Sequence, residues 1–217
     1  MDKIKSLLKK IRQPLLVSII LMVLCGLVFP LLFTGVATVL FPSQARGSII
    51  EINEKPVGSR LVGQEFTKPY FMKCRPSAVG YNTYYIDDNG NEILVDGNNF
   101  SGVSSGSNNY APTNDELAKR VENDIEKFLE QNPSVKKEDI PSDLLTASGS
   151  GLDPHISVES AKVQVSSISK ASGISEDELN EIIENNTSKK FLGVFGENVV
   201  NVLLVNIDIA QRMGIIE

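Results

Sequence analysis

Tryptophan is absent from this sequence, histidine occurs once, as His155, and cysteine twice, as Cys25 and Cys74. A single histidine without a C-x-x-C pair cannot assemble a zinc or redox site of the usual spacing, so no metal site is expected. Cys25 lies inside a long apolar run and Cys74 well outside it, so the two are not placed to bridge. Cys74 reads as a small buried residue. The patterns G-x-x-x-x-G-K-[ST], G-x-S-x-G and H-E-x-x-H are missing as well. With them go the phosphate loop, the serine nucleophile elbow and the zinc-protease helix. No catalytic constellation is visible, and no cofactor is expected to bind directly.

Charge is also absent over a long stretch. No Asp, Glu, Lys or Arg occurs between Gln13 and Ala45. Within it, Leu15–Phe41 is apolar and exceeds the roughly 20 residues that cross a hydrocarbon core. A single crossing must satisfy its own backbone, so it is a helix. Pro30 falls inside it and predicts a kink or a loosened turn. Lys3, Lys5, Lys9, Lys10 and Arg12 precede the run against a single Asp2, while Arg46, Glu51, Glu54 and Lys55 follow it. Basic residues beside a span favour the cytoplasm. Residues 1–13 are therefore read as a cytoplasmic basic N-terminus and 14–42 as a transmembrane helix. Residues 43–217 are read as a soluble extracytoplasmic domain at the plasma membrane. The competing reading is a cleaved signal peptide, with Gly35 and Ala37 as small residues near a cut. A signal core of about 7–15 residues is shorter than this run. The net charge is −6, and residues 1–13 hold +4 of it, which leaves −10 on the remainder. So acidic a domain argues against a nucleic-acid partner.

Beyond the span, Ser48–Asn53 alternates as a short strand, and Lys55–Gly63 is turn-rich. Glu65–Ala78 carries Phe66, Tyr70 and Phe71 between Pro69 and Pro76, which suits an ordered, irregular segment. Tyr84–Ile86 and Ile93–Val95 flank Asn89-Gly90, a hairpin signal, closed by the turn cluster Asp96–Asn99. Ser101–Asn109 reads as a loop. Thr113 and Glu116 have capping-box spacing before a helix to Gln131, with Leu117, Val121, Ile125 and Phe128 on one face. Leu144–Ile156 reads as a tight loop. Ser157 caps a second helix that buries Val158, Ala161, Val165 and Ile168 and stops at Gly173. Ser175 and Glu178 box a third, burying Leu179, Ile182 and Ile183. Val199–Ile207 reads as a buried strand, followed by a short helix to Met213 ending at Gly214. Strands and helices without βαβ alternation give an α+β class. The expected architecture is a single N-terminal transmembrane helix followed by one mixed α+β extracytoplasmic domain.

Three segments carry a family likeness together: GSRLVGQEFTKPYFMKCRPSA (Gly58–Ala78), SSGSNNYAPTN (Ser104–Asn114) and DLLTASGSGLDPHIS (Asp143–Ser157). With FTGVATVLFPSQARGS before them and VVNVLLVNIDIA after, the chain resembles the C subunit of the Kdp-type potassium-transporting ATPase over nearly its whole length. The Ser104–Asn114 loop is one residue longer than that family's usual form, and Tyr81–Val103 looks inserted. The resemblance implies a complex with a channel-like A subunit that selects potassium, an ATP-hydrolysing P-type B subunit and a small F subunit. It implies that this chain is an accessory subunit that raises the B subunit's affinity for ATP. D-K-T-G, which carries the phosphorylated aspartate of P-type pumps, is absent. ATP then enters through the B subunit, and potassium is the cargo. An outside domain would cover the entrance of the A subunit and act on nucleotide binding only through subunit contacts. Composition alone also allows a free-standing, membrane-anchored extracellular binding domain.

The candidate residues follow from these segments. Gly149 and Gly151, with Ser150, could offer N–H groups to an anion or simply form a tight turn. Ser107 and Asn108 could join them or form a polar interface with Thr113 and Asn114, which otherwise cap the first helix. Asp153 and His155 could pair or meet a partner, and Arg75 could pair within the domain or across an interface. On the span, Gly26, Gly35 and Thr38, with Thr34, form a surface for close helix packing.

Overall fold

The computed structural model describes residues 2–94, 99 and 102–216. The chain divides between Ile49 and Ile50 into two compact units. The first consists of α1 (Asp2–Val23), a π-helical turn (Leu24–Val28), α2 (Phe29–Leu40) and α3 (Pro42–Ala45). The stretch Lys10–Leu40 is long and apolar enough to cross a membrane, and its apolar side chains are exposed. The loosened turn expected at Pro30 lies just ahead of the ring. The Phe29 N–H donates to the Leu24 carbonyl, five residues back. Widening the ladder there accommodates a residue that has no N–H and crowds the turn before it. Helical structure also reaches further back than the expected span, through Pro14 to Asp2.

The second unit mixes strands and helices. β1 (Ile49–Ile52), whose first residue closes the first unit, pairs with β2 (Lys55–Ser59). The second strand was expected to be part of a turn-rich segment. Asn53 and Glu54 both take positive φ, 51° and 63°. Such a two-residue turn matches the twist of a hairpin, and a two-stranded sheet tolerates Pro56 because it is all edge. β3 (Tyr84–Ile86) and β4 (Glu92–Leu94) form the expected second hairpin, with Tyr85 opposite Ile93. Asp87 orders its turn by accepting the N–H groups of Asn89 and Asn91 at 2.9 and 2.8 Å. Val95 and the turn residues Asp96–Asn98 lie outside the described residues.

α4 (Asp115–Gln131) ends where expected, before Pro133, but its cap is Asn114, not Thr113. The Asn114 carboxamide accepts the Glu116 N–H at 2.8 Å, so the capping-box spacing placed the start one residue early. Leu117, Val121, Ile125 and Phe128 share one half-buried face. β5 (His155–Ser157) takes the end of the segment expected to be loop. Ser157 then caps α5 (Val158–Lys162), and after a break at Val163–Gln164, α6 (Val165–Ser172) ends at left-handed Gly173. α7 (Glu176–Asn185) is capped by Ser175, as its sequence predicts. β6 (Thr187–Ser188) and β7 (Val199–Asn201) complete an antiparallel sheet of order β5-β7-β6.

The largest correction concerns Val199–Ile207. Only its first three residues are strand, and the rest begin α8 (Val202–Arg212). Asn201 makes the switch: its side chain accepts the Leu204 N–H at 3.2 Å. A short apolar run fits a buried helix as well as a buried strand, and the cap decides between them. The core is built from Ile156, Ala161, Val165, Ile168, Leu179, Ile182, Ile183, Val200, Val202, Val205 and Ile209, with Met72 packed among them.

Met72 belongs to the irregular segment, whose backbone needs partners that neither sheet nor helix supplies. Buried amides provide them. Asn206 accepts the Met72 N–H at 2.7 Å and donates to the Met72 carbonyl at 2.9 Å. Gln164 accepts the Lys73 N–H at 2.8 Å, and Asn201 donates to the Arg60 carbonyl at 2.9 Å. Leaving a buried donor and acceptor unpaired costs about 1–3 kcal/mol for each group. Asn206→Leu is therefore expected to destabilise the fold by roughly 2–5 kcal/mol. Asn180→Ala, on the exposed face of α7, should change stability by no more than about 0.5 kcal/mol. Urea unfolding of the full chain in detergent measures both.

Candidate partner-binding surface

The sequence candidates fall on both units. Gly26 lies in the π-helical turn and Gly35 in α2, and a Cβ at either would meet open space. Thr38 donates its hydroxyl to the Thr34 carbonyl at 2.7 Å, one turn back. That bond satisfies the hydroxyl within the helix, and small residues are the kind on which a second helix can pack closely.

In the second unit the three likeness segments are tied together. Arg75 meets Asp153 at 3.0 Å and donates to the Thr146 carbonyl at 3.3 Å. Asp153 also accepts the His155 N–H at 3.0 Å, and the His155 Nδ1 stands 3.6 Å from the same carboxylate. Burial alone would raise the Asp153 pKa, but hydrogen bonds from His155 and the Arg75 guanidinium together hold it below the usual carboxylate value. Ser77 donates to the Gly151 carbonyl at 2.7 Å, and the Gly106 N–H donates to the Ser150 carbonyl at 2.8 Å.

The glycines of the third segment differ. Gly151 is buried at φ +68°, and a Cβ there would stand 2.8 Å from Val79 and 2.9 Å from the Gly106 carbonyl. Its N–H donates to the Ser148 hydroxyl at 2.9 Å, and the Leu152 N–H to the Ser150 hydroxyl at 3.1 Å. Gly149 is exposed and a Cβ there would meet nothing.

Ser107 and Asn108 line a cleft of about 720 Å³ between their loop, Glu65, Pro76–Ala78, Thr146 and the side of α4 that carries Leu117, Arg120, Asp124 and Lys127. Ser107 donates to Asn109 at 2.9 Å. Asn114 lies at the head of α4 as its cap. The cleft wall carries both signs of charge: Glu65 and Asp124 against Arg120 and Lys127. Arg120 bonds Asp124 at 2.7 Å and also donates to the Leu145 carbonyl at 3.2 Å. Burial raises the pKa of Glu65 against the pull of Lys73, and that of Asp124 against Arg120 and Lys127. Among the described residues there is no cluster of His, Cys, Asp and Glu able to hold a metal. A half-open cleft with paired charges and hydroxyl and amide groups can recognise a polar segment of another chain.

Several residues that organise this surface are not among the site candidates drawn from the sequence. Tyr81, buried at φ +54°, donates its hydroxyl to the Arg75 carbonyl at 2.8 Å, and burial raises its pKa. Asp143 accepts the Ser157 N–H at 2.7 Å and bonds the hydroxyls of Ser157 and Ser160, fixing the start of α5. Cys74, half-buried against the core, has its thiol pKa pushed up to about 12, chiefly by burial. Only the spacing of Asp143 ahead of the Ser157 cap could have hinted at its part.

Gly151→Ala is expected to destabilise by about 2 kcal/mol or more, from left-handed strain and the close Val79 contact, and Gly149→Ala by no more than about 0.5 kcal/mol. A double-mutant cycle of Arg75→Ala with Asp153→Ala should give a coupling of roughly 1 kcal/mol in urea unfolding at neutral pH. Because folding lowers the Asp153 pKa, its contribution is fully present above the unfolded carboxylate value of about 3.9 and is lost as pH falls through the folded value. The coupling should therefore fade in unfolding measured below about pH 4.

The sequence has known relatives. A family profile described as K+-transporting ATPase, c chain, matches residues 11–211. A "Potassium-transporting ATPase KdpC subunit" from Clostridium kluyveri is 57% identical over 207 residues, which is 95% of this chain and 96% of the relative. One from Clostridioides difficile is 57% identical over 213 residues, 96% of this chain and all of the relative. A third, from Caldanaerobacter subterraneus subsp. tengcongensis, is 42% identical over 205 residues, 94% of this chain and 96% of the relative.

Proposed function

The chain belongs to the family of K+-transporting ATPase c chains, and on that premise we propose that it is the accessory, non-hydrolytic subunit of an ATP-driven potassium uptake complex. One observation carries the reading: the family match runs from residue 11 to 211 and so takes in the apolar helix together with the folded domain. The unit of function is then a tethered head. Its partners are the channel-like A subunit, the P-type B subunit and the small F subunit that the sequence resemblance implies.

The N-terminus lies in the cytoplasm and residues 43–217 outside. The basic flank ahead of the span and the net −10 on the remaining residues support this orientation. The span packs through Gly26, Gly35 and Thr38 against other helices of the complex. The head covers the entrance of the A subunit, presenting Arg75, Asp153, His155 and Asn114 with the Ser107–Asn108 cleft. The chain raises the B subunit's affinity for ATP through subunit contacts, not by holding nucleotide. The N–H groups of Gly151 and Leu152 support that, since Ser148 and Ser150 already engage them.

Tagged full-length chain should co-purify with the other subunits from detergent-solubilised membranes. Complex reconstituted without it should need more ATP for half-maximal hydrolysis, and adding back the full chain should restore the affinity. Protease added to intact cells should cut within residues 43–217. Recovery of the chain alone, or cleavage only after the cells are broken, would reject the reading.

A further inference from the structure

One exposed feature takes no part in the surface described above. Between β6 and β7 the chain turns back on itself at Phe191–Phe195, where Phe191 and Phe195 exchange backbone hydrogen bonds of 2.8 and 3.0 Å. The turn is tight: Leu192 sits at φ +52° and Gly193 at φ +74°. A leucine in the left-handed region is uncommon and costs conformational energy. What it achieves is outward display. Phe191, Leu192, Val194 and Phe195 are 70%, 77%, 74% and 65% exposed. Four large apolar side chains on one ordered tip gain nothing in water.

The charges around the tip select its occupant. Lys189 and Lys190 stand immediately before it and Glu197 after it, a local excess of positive charge on a domain that is otherwise strongly acidic. The Lys190 N–H is held by Asn198 at 3.1 Å, so the base of the tip is fixed. Apolar side chains with lysines on the shoulder suit the boundary between acyl chains and anionic headgroups. The other exposed apolar hairpin, with Tyr84, Tyr85 and Ile86, carries Asp87, Asp88 and Glu92 instead, which an anionic surface repels. Nine residues lie between Leu40 and Ile50, a tether of at most about 35 Å. The domain is therefore never far from the bilayer that its own helix is suited to cross.

We propose that the Phe191–Phe195 tip inserts into the interface of an anionic lipid bilayer, with Lys189 and Lys190 against the headgroups, as a second membrane attachment. It requires the apolar helix to be in a bilayer and is independent of which side the domain faces and of the pump's other subunits.

The absence of tryptophan provides the test. Full-length chain carrying Phe195→Trp is reconstituted in vesicles of phosphatidylglycerol and phosphatidylcholine with brominated acyl chains. The expected result is quenched, blue-shifted emission, with quenching reduced when Lys189→Glu and Lys190→Glu are added. Tyr85→Trp in the same vesicles should stay unquenched. Phe191→Trp repeats the measurement from the other side of the tip, in case one substitution disturbs the turn. Unquenched emission from both tip variants, or equal quenching at Tyr85→Trp, overturns the proposal. Because no other subunit is present, either outcome leaves the co-purification result untouched.

Discussion

Three buried carboxamides decide where the least regular part of this chain lies. The segment from Arg60 to Lys73, interrupted by Gly63 and Pro69, joins neither a sheet nor a helix, yet Met72 is fully buried. A buried peptide group without a partner is costly, so the segment can enter the core only where side chains stand in for a neighbouring strand. Asn206 does this for both polar atoms of Met72, Gln164 for Lys73 and Asn201 for Arg60. Each amide projects from α8, from the break between α5 and α6, or from the end of β7. The regular elements thus hold the irregular one in register, and Arg75 and Ser77 follow from that placement.

The loop surface depends on this arrangement in turn. Arg75 reaches Asp153 because Cys74 and Met72 are held inward, and Tyr81 closes the gap by bonding the Arg75 carbonyl. Gly63 and Gly151 allow the approach. A Cβ on Gly63 would collide with the Tyr81 ring and stand 2.8 Å from the Asp153 carbonyl. The three segments that carry the family likeness are therefore parts of one interlocked surface.

The apolar helix shows the same economy. A proline in a membrane helix removes a donor where no water can replace it. The chain widens one turn ahead of Pro30, so the backbone adjusts locally and the helix continues to Leu40. Thr38 returns its hydroxyl to the Thr34 carbonyl for a similar reason. Among the large apolar side chains exposed along the helix, Gly26 and Gly35 leave open space where a Cβ would stand.

Much of this was legible in the linear chain. The absence of charge from Gln13 to Ala45 is enough to define an apolar helix, because the energetics of that segment depend on composition and length alone. The caps at Ser157 and Ser175, the stop at Gly173 and the hairpin around Asn89-Gly90 were legible because each is a bargain struck within a few residues. Three-dimensional packing decided the rest. Val202–Ile207 is helix because Asn201 caps it and the core surrounds it, although its β-branched composition suits a strand equally. Lys55–Ser59 is strand because Asn53 and Glu54 turn the chain back onto β1. The cleft beside Ser107, the Arg75–Asp153 pair and the part played by Asp143 join residues far apart in sequence. No local rule places such residues together, because the free energy that does so is released only when the whole domain closes around Met72.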